Sequence, residues 1–362
     1  MRYFELYSGI GGWRAAFNAI AKDMEVECEC IGYAEIDPLA RQIYRGYFKP
    51  GETEIEVANF FPFRENIDQG KPIPVRPGRK VNDLEYGSFD MLVADVPCEL
   101  YTDLEDDTTS LFSNIRWMAY HFRPEFVLIE APWNMATYGR GASLQAIINT
   151  LQEFGYYCSF TLLNAKHYGI PQERPKVFIF ASQSHEPYSF EFSMRMISSD
   201  DWVRYPSVKQ YMSVLDILEK EPKDRGIWVS DQSKKFIFAD SYSGKALHHT
   251  LNADPAMSLK PGMSKTLRAN AENYYTKRFI ESGGRINEAL LCDQSDWKNL
   301  PDVRRVQLKE CCLLQGFDEE FYNSAMHTYV SDTALYKMIG QSTNVNTAYA
   351  ALHYIFNEFG IK

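Results

Sequence analysis

The chain lacks any C-x-x-C pair, although it carries seven cysteines at irregular spacing: Cys28, Cys30, Cys98, Cys158, Cys292, Cys311 and Cys312. That argues against a zinc ribbon or other metal site and against a disulfide framework, and it leaves reduced thiols. No apolar run approaches the ~18 residues that a membrane-crossing helix needs. The opening Met1-Arg2-Tyr3-Phe4-Glu5-Leu6-Tyr7 has no secretory layout and reads as a strand at once, so a cytoplasmic location is the expectation. Internal repeats and low-complexity tracts are also missing. Basic charge is in deficit: the net charge is −10, which argues against a protein that coats nucleic acid non-specifically. Hydrophobic residues at 45% and charged residues at 24% exclude a disordered chain, a collagen and a coiled coil. A chain of 362 residues is natural for two domains.

What is present in the first half is an alternation of short apolar strands and helical patterns. Strands are predicted over Tyr3–Tyr7, Glu27–Ala34, Asp90–Ala94, Phe126–Glu130, Ser159–Leu163 and Val177–Ala181. Helices are predicted over Trp13–Ala21, from Pro38, over Leu111–Phe122, and over Ala142–Phe154 before Gly155. Strands separated by helices of this length predict an α/β fold with a doubly wound, mostly parallel sheet. A proline-rich stretch, Lys71–Tyr86, reads as a surface excursion. Residues 185–317 are expected to form a smaller irregular domain. Helical periodicity is expected through Asp302–Gly316 and again as a helix pair over Thr333–Phe356. The domain reading is therefore 1–184, 185–317, and a return to the first domain over 318–362.

Residues with chemical potential lie where the strands end. Gly9-Ile10-Gly11-Gly12 forms a turn after the first strand, where glycines let backbone approach a ligand. It is not a G-x-G-x-x-G, so a dinucleotide is not specifically indicated. Glu35-Ile36-Asp37 ends the second strand, where an acid suits ribose hydroxyls. Pro97-Cys98 places a thiol after a strand, although the acidic neighbours Glu99, Asp103, Glu105, Asp106 and Asp107 disfavour a thiolate. Glu130, flanked by Ile129 and Ala131, can be held partly protonated by its surroundings. Arg174 and Lys176 bring cations to the same rim. Between Leu259 and Arg285, six basic residues (Lys260, Lys265, Arg268, Lys277, Arg278, Arg285) stand against Glu272 and Glu281. A solvated face and a phosphate-contacting surface are equally compatible with that charge.

The order of these motifs resembles the C5-cytosine-specific DNA methyltransferase family. The match runs through F-E-L-Y-S-G-I-G-G-W, A-E-I-D, D-V-P-C and Thr109-Ser110-Leu111-Phe112. It continues through Leu163-Asn164-Ala165 with Gly169-Ile170-Pro171-Gln172-Glu173-Arg174, Leu308–Phe317, and Tyr336–Ser342. The resemblance implies a class I S-adenosylmethionine-dependent fold with a target-recognition domain in the middle. It implies that Cys98 adds to C6 of a flipped cytosine, that Glu130 holds N3 and the exocyclic amine, and that Arg174 contacts the base or orients the thiolate. S-adenosylmethionine, or a modified form of it, would be met by Tyr7, Gly9, Gly11, Gly12, Glu35, Ile36, Pro97, Leu111, Gln341 and Ser342. Double-stranded DNA would meet Lys176, Lys260, Lys265 and Arg268. A monomer or a chain with a partner subunit, in the cytoplasm of a bacterial or phage-infected cell with a restriction-modification system, completes the implication.

Departures from the family pattern cluster at the chemistry. Pro-Cys-Gln is Pro97-Cys98-Glu99, the following loop is short, acidic and glycine-free, Glu-Asn-Val is Glu130-Ala131-Pro132, the second arginine of Q-x-R-x-R is Lys176, and Gly-Asn-Ser is Gly340-Gln341-Ser342. Alternative readings are an altered donor or base chemistry at C5, a pseudo-enzyme that binds DNA or a partner, and a tRNA cytosine methyltransferase.

Overall fold

The computed structural model describes residues 1–58, 73–75, 79–81, 88–96, 111–184, 207–222, 225–240, 251–260, 273–287 and 299–361. The chain divides into two compact units. Met1–Leu163, Pro175–Val208 and Ser342–Lys362 form the first, and Asn164–Arg174 with Lys209–Gln341 form the second. Residues 318–341, grouped by the sequence reading with the C-terminal return, thus fall in the second unit.

In the first unit the strands are β1 (Arg2–Leu6), β2 (Glu29–Ala34), β3 (Ile55–Val57), a β4–β5 hairpin (Ile73–Val75, Arg79–Val81), β6 (Met91–Asp95), β7 (Phe126–Pro132) and β8 (Tyr157–Asn164). After β9 (Gln172–Glu173) of the second unit comes β10 (Pro175–Ser182). The helices are α1 (Gly12–Asp23), α2 (Pro38–Phe48), α3 (Leu111–Phe122), the short α4 (Asn134–Thr137) and α5 (Ala142–Glu153). A seven-stranded sheet runs β3-β2-β1-β6-β7-β10-β8. Its neighbours from β3 to β7 are parallel, and β10 is antiparallel to β7. This is the expected mostly parallel α/β sheet.

The period of two along each strand supplies both faces. Tyr3 stacks on Phe17 of α1 at 3.7 Å, whereas its neighbour Phe4 turns to Phe89 on the opposite face. That second face packs Leu92, Ala94, Val127 and Ile129 against Met118 of α3 and Ile147 and Leu151 of α5. On the first face, Trp13, Ala16, Phe17 and Ile20 follow helical spacing and are buried. Trp13 meets Phe178 edge-on, and Phe17 meets Phe356. Helix α2 begins as predicted, with Pro38 in its first turn and Asp37 accepting from the Leu39 N–H at 2.9 Å.

The second unit is built from short pieces. Here β9 pairs in parallel with β11 (Ala256–Met257), and β12 (Tyr274–Thr276) pairs antiparallel with β13 (Val303–Arg305). The helices are α6 (Asp231–Asp240), α7 (Lys277–Glu281), α8 (Leu308–Leu314), α9 (Glu319–Met326) and α10 (Asp332–Gln341); α11 (Val345–Glu358) returns to the first unit. The helical stretch expected over Asp302–Gly316 is instead a strand followed by a helix. The strand exists because Val303–Arg305 finds β12, a pairing that local pattern does not announce. The helix pair expected over Thr333–Phe356 is α10 and α11, parted where Asn344 caps Thr347. A fully buried pair, Arg304 and Glu310 at 2.8 Å, is tolerated because Glu310 also accepts the N–H groups of Glu219 and Gln307. Among the described residues no helix is long and apolar enough to cross a membrane.

Candidate active site

Parallel strands bring their carboxyl ends to one edge of the sheet, so residues separated widely in sequence meet there. Leu6 lies beside Ala34, and Asp95 lies beside Glu130. The segments that follow them form the site.

After β1 the backbone turns sharply. Tyr7 and Gly9 have φ of 59° and 54°. A Cβ on Gly9 would meet no atom within 4 Å, so the loop faces open space at that point. Gly11 is left-handed as well and caps α1, its Cα lying against the Phe48 ring. Gly12 serves packing: a Cβ there would sit 2.4 Å from the Thr343 carbonyl oxygen. The Ser8 side chain is buried, and its hydroxyl has no partner among the described residues. The Tyr7 hydroxyl accepts from Asn114 of α3 at 2.9 Å, and burial raises its pKa. Leu111 opens α3, and its side chain lies outside the described residues.

Glu35 ties this loop to the one after β2. Its two oxygens accept the N–H groups of Gly9 and Asp37, each at 2.8 Å. Burial pushes the carboxyl pKa up, while the amides of Asp37 and Gly9 pull it down. Beside it Ile36 is 76% exposed, an isolated aliphatic surface at the same edge.

At the ends of β6 and β7 the charges concentrate. Glu130 is fully buried. The Lys176 ammonium, from β10, lies 2.7 Å from Glu130 Oε1 and 3.9 Å from Asp95. This contact is an ion pair rather than an aligned hydrogen bond, and neither Glu130 oxygen accepts a hydrogen bond among the described residues. Asp95 in turn accepts from Thr343 Oγ1 at 3.1 Å. Ser342 is buried and donates to the Thr343 carbonyl at 3.0 Å. Lys176, read from sequence as a DNA contact, is therefore a buried cation with a carboxylate on either side.

The remaining candidates stand in the second unit or outside the described residues. Arg174 is buried, and its guanidinium donates to Ser258 Oγ, the Leu259 carbonyl and the Gly340 carbonyl at 3.3, 3.1 and 3.2 Å. Gln172 adds a bond from its amide to the Leu314 carbonyl at 2.6 Å and accepts the Leu259 N–H at 3.0 Å. The Gln-x-Arg motif thus ties three distant segments of the second unit together. Gln341 ends α10, and Lys260 is exposed. Pro97, Cys98, Lys265 and Arg268 lie outside the described residues. No cluster of potential metal ligands occurs among the described residues.

The model of the family described as C-5 cytosine-specific DNA methylase matches residues 1–357. The chain belongs to this family. Among similar curated proteins is the orphan methyltransferase M.SPBetaI of Bacillus phage SPbeta, 29% identical over 99% of this chain and 97% of that protein. Another is the type II methyltransferase M.BanI of Aneurinibacillus aneurinilyticus, 27% identical over 62% of this chain. The match to M.BanI spans 49% of that protein's length, and the match to M.NgoBV of Neisseria gonorrhoeae 44%. The S. pombe Dnmt2 methyltransferase shares the fold, with a TM-score of 0.66 at 18% identity, covering 99% of each chain.

Three residues of this edge escaped the sequence reading: Asp95, Asn114 and Thr343. Asp95 was legible as the last residue of a strand in Asp95-Val96-Pro97-Cys98. Asn114 and Thr343 had no signal, since each acts by meeting a partner far away in sequence.

Proposed function

We propose that the chain methylates cytosine at C5 in double-stranded DNA, with S-adenosylmethionine as the donor. The observation that carries this reading is Glu130, a fully buried carboxylate with the Lys176 ammonium 2.7 Å from Oε1 and no aligned hydrogen bond to either oxygen among the described residues. A buried acceptor left open costs free energy unless a ligand satisfies it. The exocyclic amine of a cytosine is a donor of the right kind, and N3 becomes one when it takes up a proton as the thiolate adds to C6.

The residues of the first unit fit the donor. The open backbone at Gly9, the orphaned Ser8 hydroxyl, the Glu35 carboxylate and exposed Ile36 supply contacts for an adenosine. Glu35 would hold ribose hydroxyls, and Ile36 would cover the base. S-adenosylmethionine supplies an electrophilic methyl group for C5.

The protein's own chemistry concerns the cytosine. A base inside the duplex presents neither C6 nor its Watson–Crick edge, so it must leave the stack. The Cys98 thiolate bonds to C6, and the displaced electron pair makes C5 nucleophilic. Glu130 stabilises the charge that develops along N3 and the amine. After the methyl group is in place, water takes the C5 proton, the C5–C6 double bond re-forms, and the C6–S electron pair returns to Cys98 as thiolate, releasing 5-methylcytosine. Lys176 takes the cationic place beside Glu130. Arg174, whose N–H groups go to Ser258, Leu259 and Gly340, holds its own unit together.

The test is nucleoside mass spectrometry after incubation with duplex DNA and S-adenosylmethionine. A product heavier than deoxycytidine by one CH₂ is expected. Donor binding without any such product would overturn the reading.

A further inference from the structure

The segment that leaves Glu130 has features the methylation reading does not use. Pro132 ends β7 opposite Lys176, and Trp133 follows directly, 44% exposed. Helix α4 comes next, then Gly139-Arg140-Gly141, all three left-handed, before α5 begins at Ala142. Arg140 is exposed. Between Glu130 and Glu153 the sequence contains no acidic residue, and Arg140 is its one charged side chain. In a chain of net charge −10, such a stretch at the carboxyl end of the sheet is electrostatically distinct.

We propose that Trp133–Gly141 is a contact ledge for duplex DNA, with Trp133 against a base or sugar and Arg140 at a phosphate. The inference rests on the proposed DNA substrate and places a strand contact within ten residues of Glu130. An exposed indole costs solubility and contributes nothing to the core. Against a nucleic acid it offers a π-face that any base can stack on. The guanidinium supplies the charge a phosphate needs, with no carboxylate on the segment to compete.

The experiment is a fluorescence-anisotropy titration of a labelled duplex at two salt concentrations, with W133A, W133F and R140A beside the unsubstituted full chain. Calorimetric binding of S-adenosylmethionine reports folding. W133A is expected to weaken duplex binding about tenfold and W133F to restore most of it. R140A is expected to weaken binding and to reduce the salt slope by about one counterion. All three should bind S-adenosylmethionine as the unsubstituted protein does. If W133A does not fold, R140A decides alone, because its side chain is exposed. Unchanged duplex binding by the folded variants, in a protein that does methylate DNA, overturns the ledge and leaves the proposed function intact. A protein that binds S-adenosylmethionine but no duplex overturns both.

Discussion

Lys176 stands where the family pattern has an arginine, and its surroundings say what that exchange does. A guanidinium would offer a planar fork, whereas an ammonium is a compact charge that two carboxylates can share. Here it lies between Glu130 and Asp95. Removing it would leave a fully buried carboxylate without its counter-charge, a change that costs several kcal/mol in buried pairs. K176M should therefore lower kcat by about a hundredfold or more, with S-adenosylmethionine affinity nearly unchanged because the donor residues lie on other strands. K176R should restore much of the turnover, since the charge returns. Steady-state kinetics with donor-binding calorimetry tests this, and a K176M enzyme with full turnover would remove Lys176 from the machinery. The proposed nucleophile has its own check. C98A should lose covalent capture of DNA carrying a mechanism-based cytosine analogue while still binding S-adenosylmethionine. A persistent adduct would reassign the thiol.

At the scale of elements, β1, α1, α2 and the residue before β3 are joined by a polar relay. Tyr44 donates to Glu5 at 2.7 Å, Arg14 donates to Tyr44 at 3.1 Å, and Arg14 pairs with Glu54 at 2.6 Å. Burial pushes the Glu5 pKa to about 7, against the pull of Arg14 and Tyr44. A carboxyl group raised in the folded state binds more protons there than in the unfolded chain. Its stabilising contribution is full below the ordinary value near 4.5 and is lost as pH rises to about 7. The shift corresponds to something on the order of 3 kcal/mol. E5Q keeps an acceptor for Tyr44 but does not titrate, so urea unfolding of E5Q should fall off less between pH 5 and pH 8 than that of the unsubstituted protein. Equal pH slopes would show that Glu5 is not the group responsible. The same scale explains what the sequence disclosed. Strands β1, β2, β6, β7 and β10 were legible because each is a short, mainly apolar run that is almost wholly buried, and the ends of β2 and β7 named Glu35 and Glu130 as site residues. β3 was not, because three residues in a polar stretch become a strand only by pairing with β2. β13 escaped for the same reason. The packing role of Gly12 was not legible, because its close approach to Thr343 joins residues from opposite ends of the chain.

For the whole molecule the governing quantity is a net charge of −10 against the polyanionic substrate proposed for it. Long-range attraction is then unavailable, and binding must come from local basic surface that works within about one Debye length, near 10 Å at 0.1 M salt. The second unit carries all six basic residues between 259 and 285, among them exposed Lys260. A phosphate contact of this sort neutralises charge without reading sequence, so its loss should affect all duplexes alike. K260A is accordingly expected to weaken binding of cognate and unrelated duplexes by a similar factor. It should flatten the plot of log affinity against log salt by roughly one counterion and leave kcat at saturating DNA unchanged. Anisotropy titrations across salt, paired with turnover at saturation, separate this from a base-reading role. A base contact would weaken the cognate site selectively and spare the salt slope, and that pattern would move Lys260 from phosphate contact to specificity.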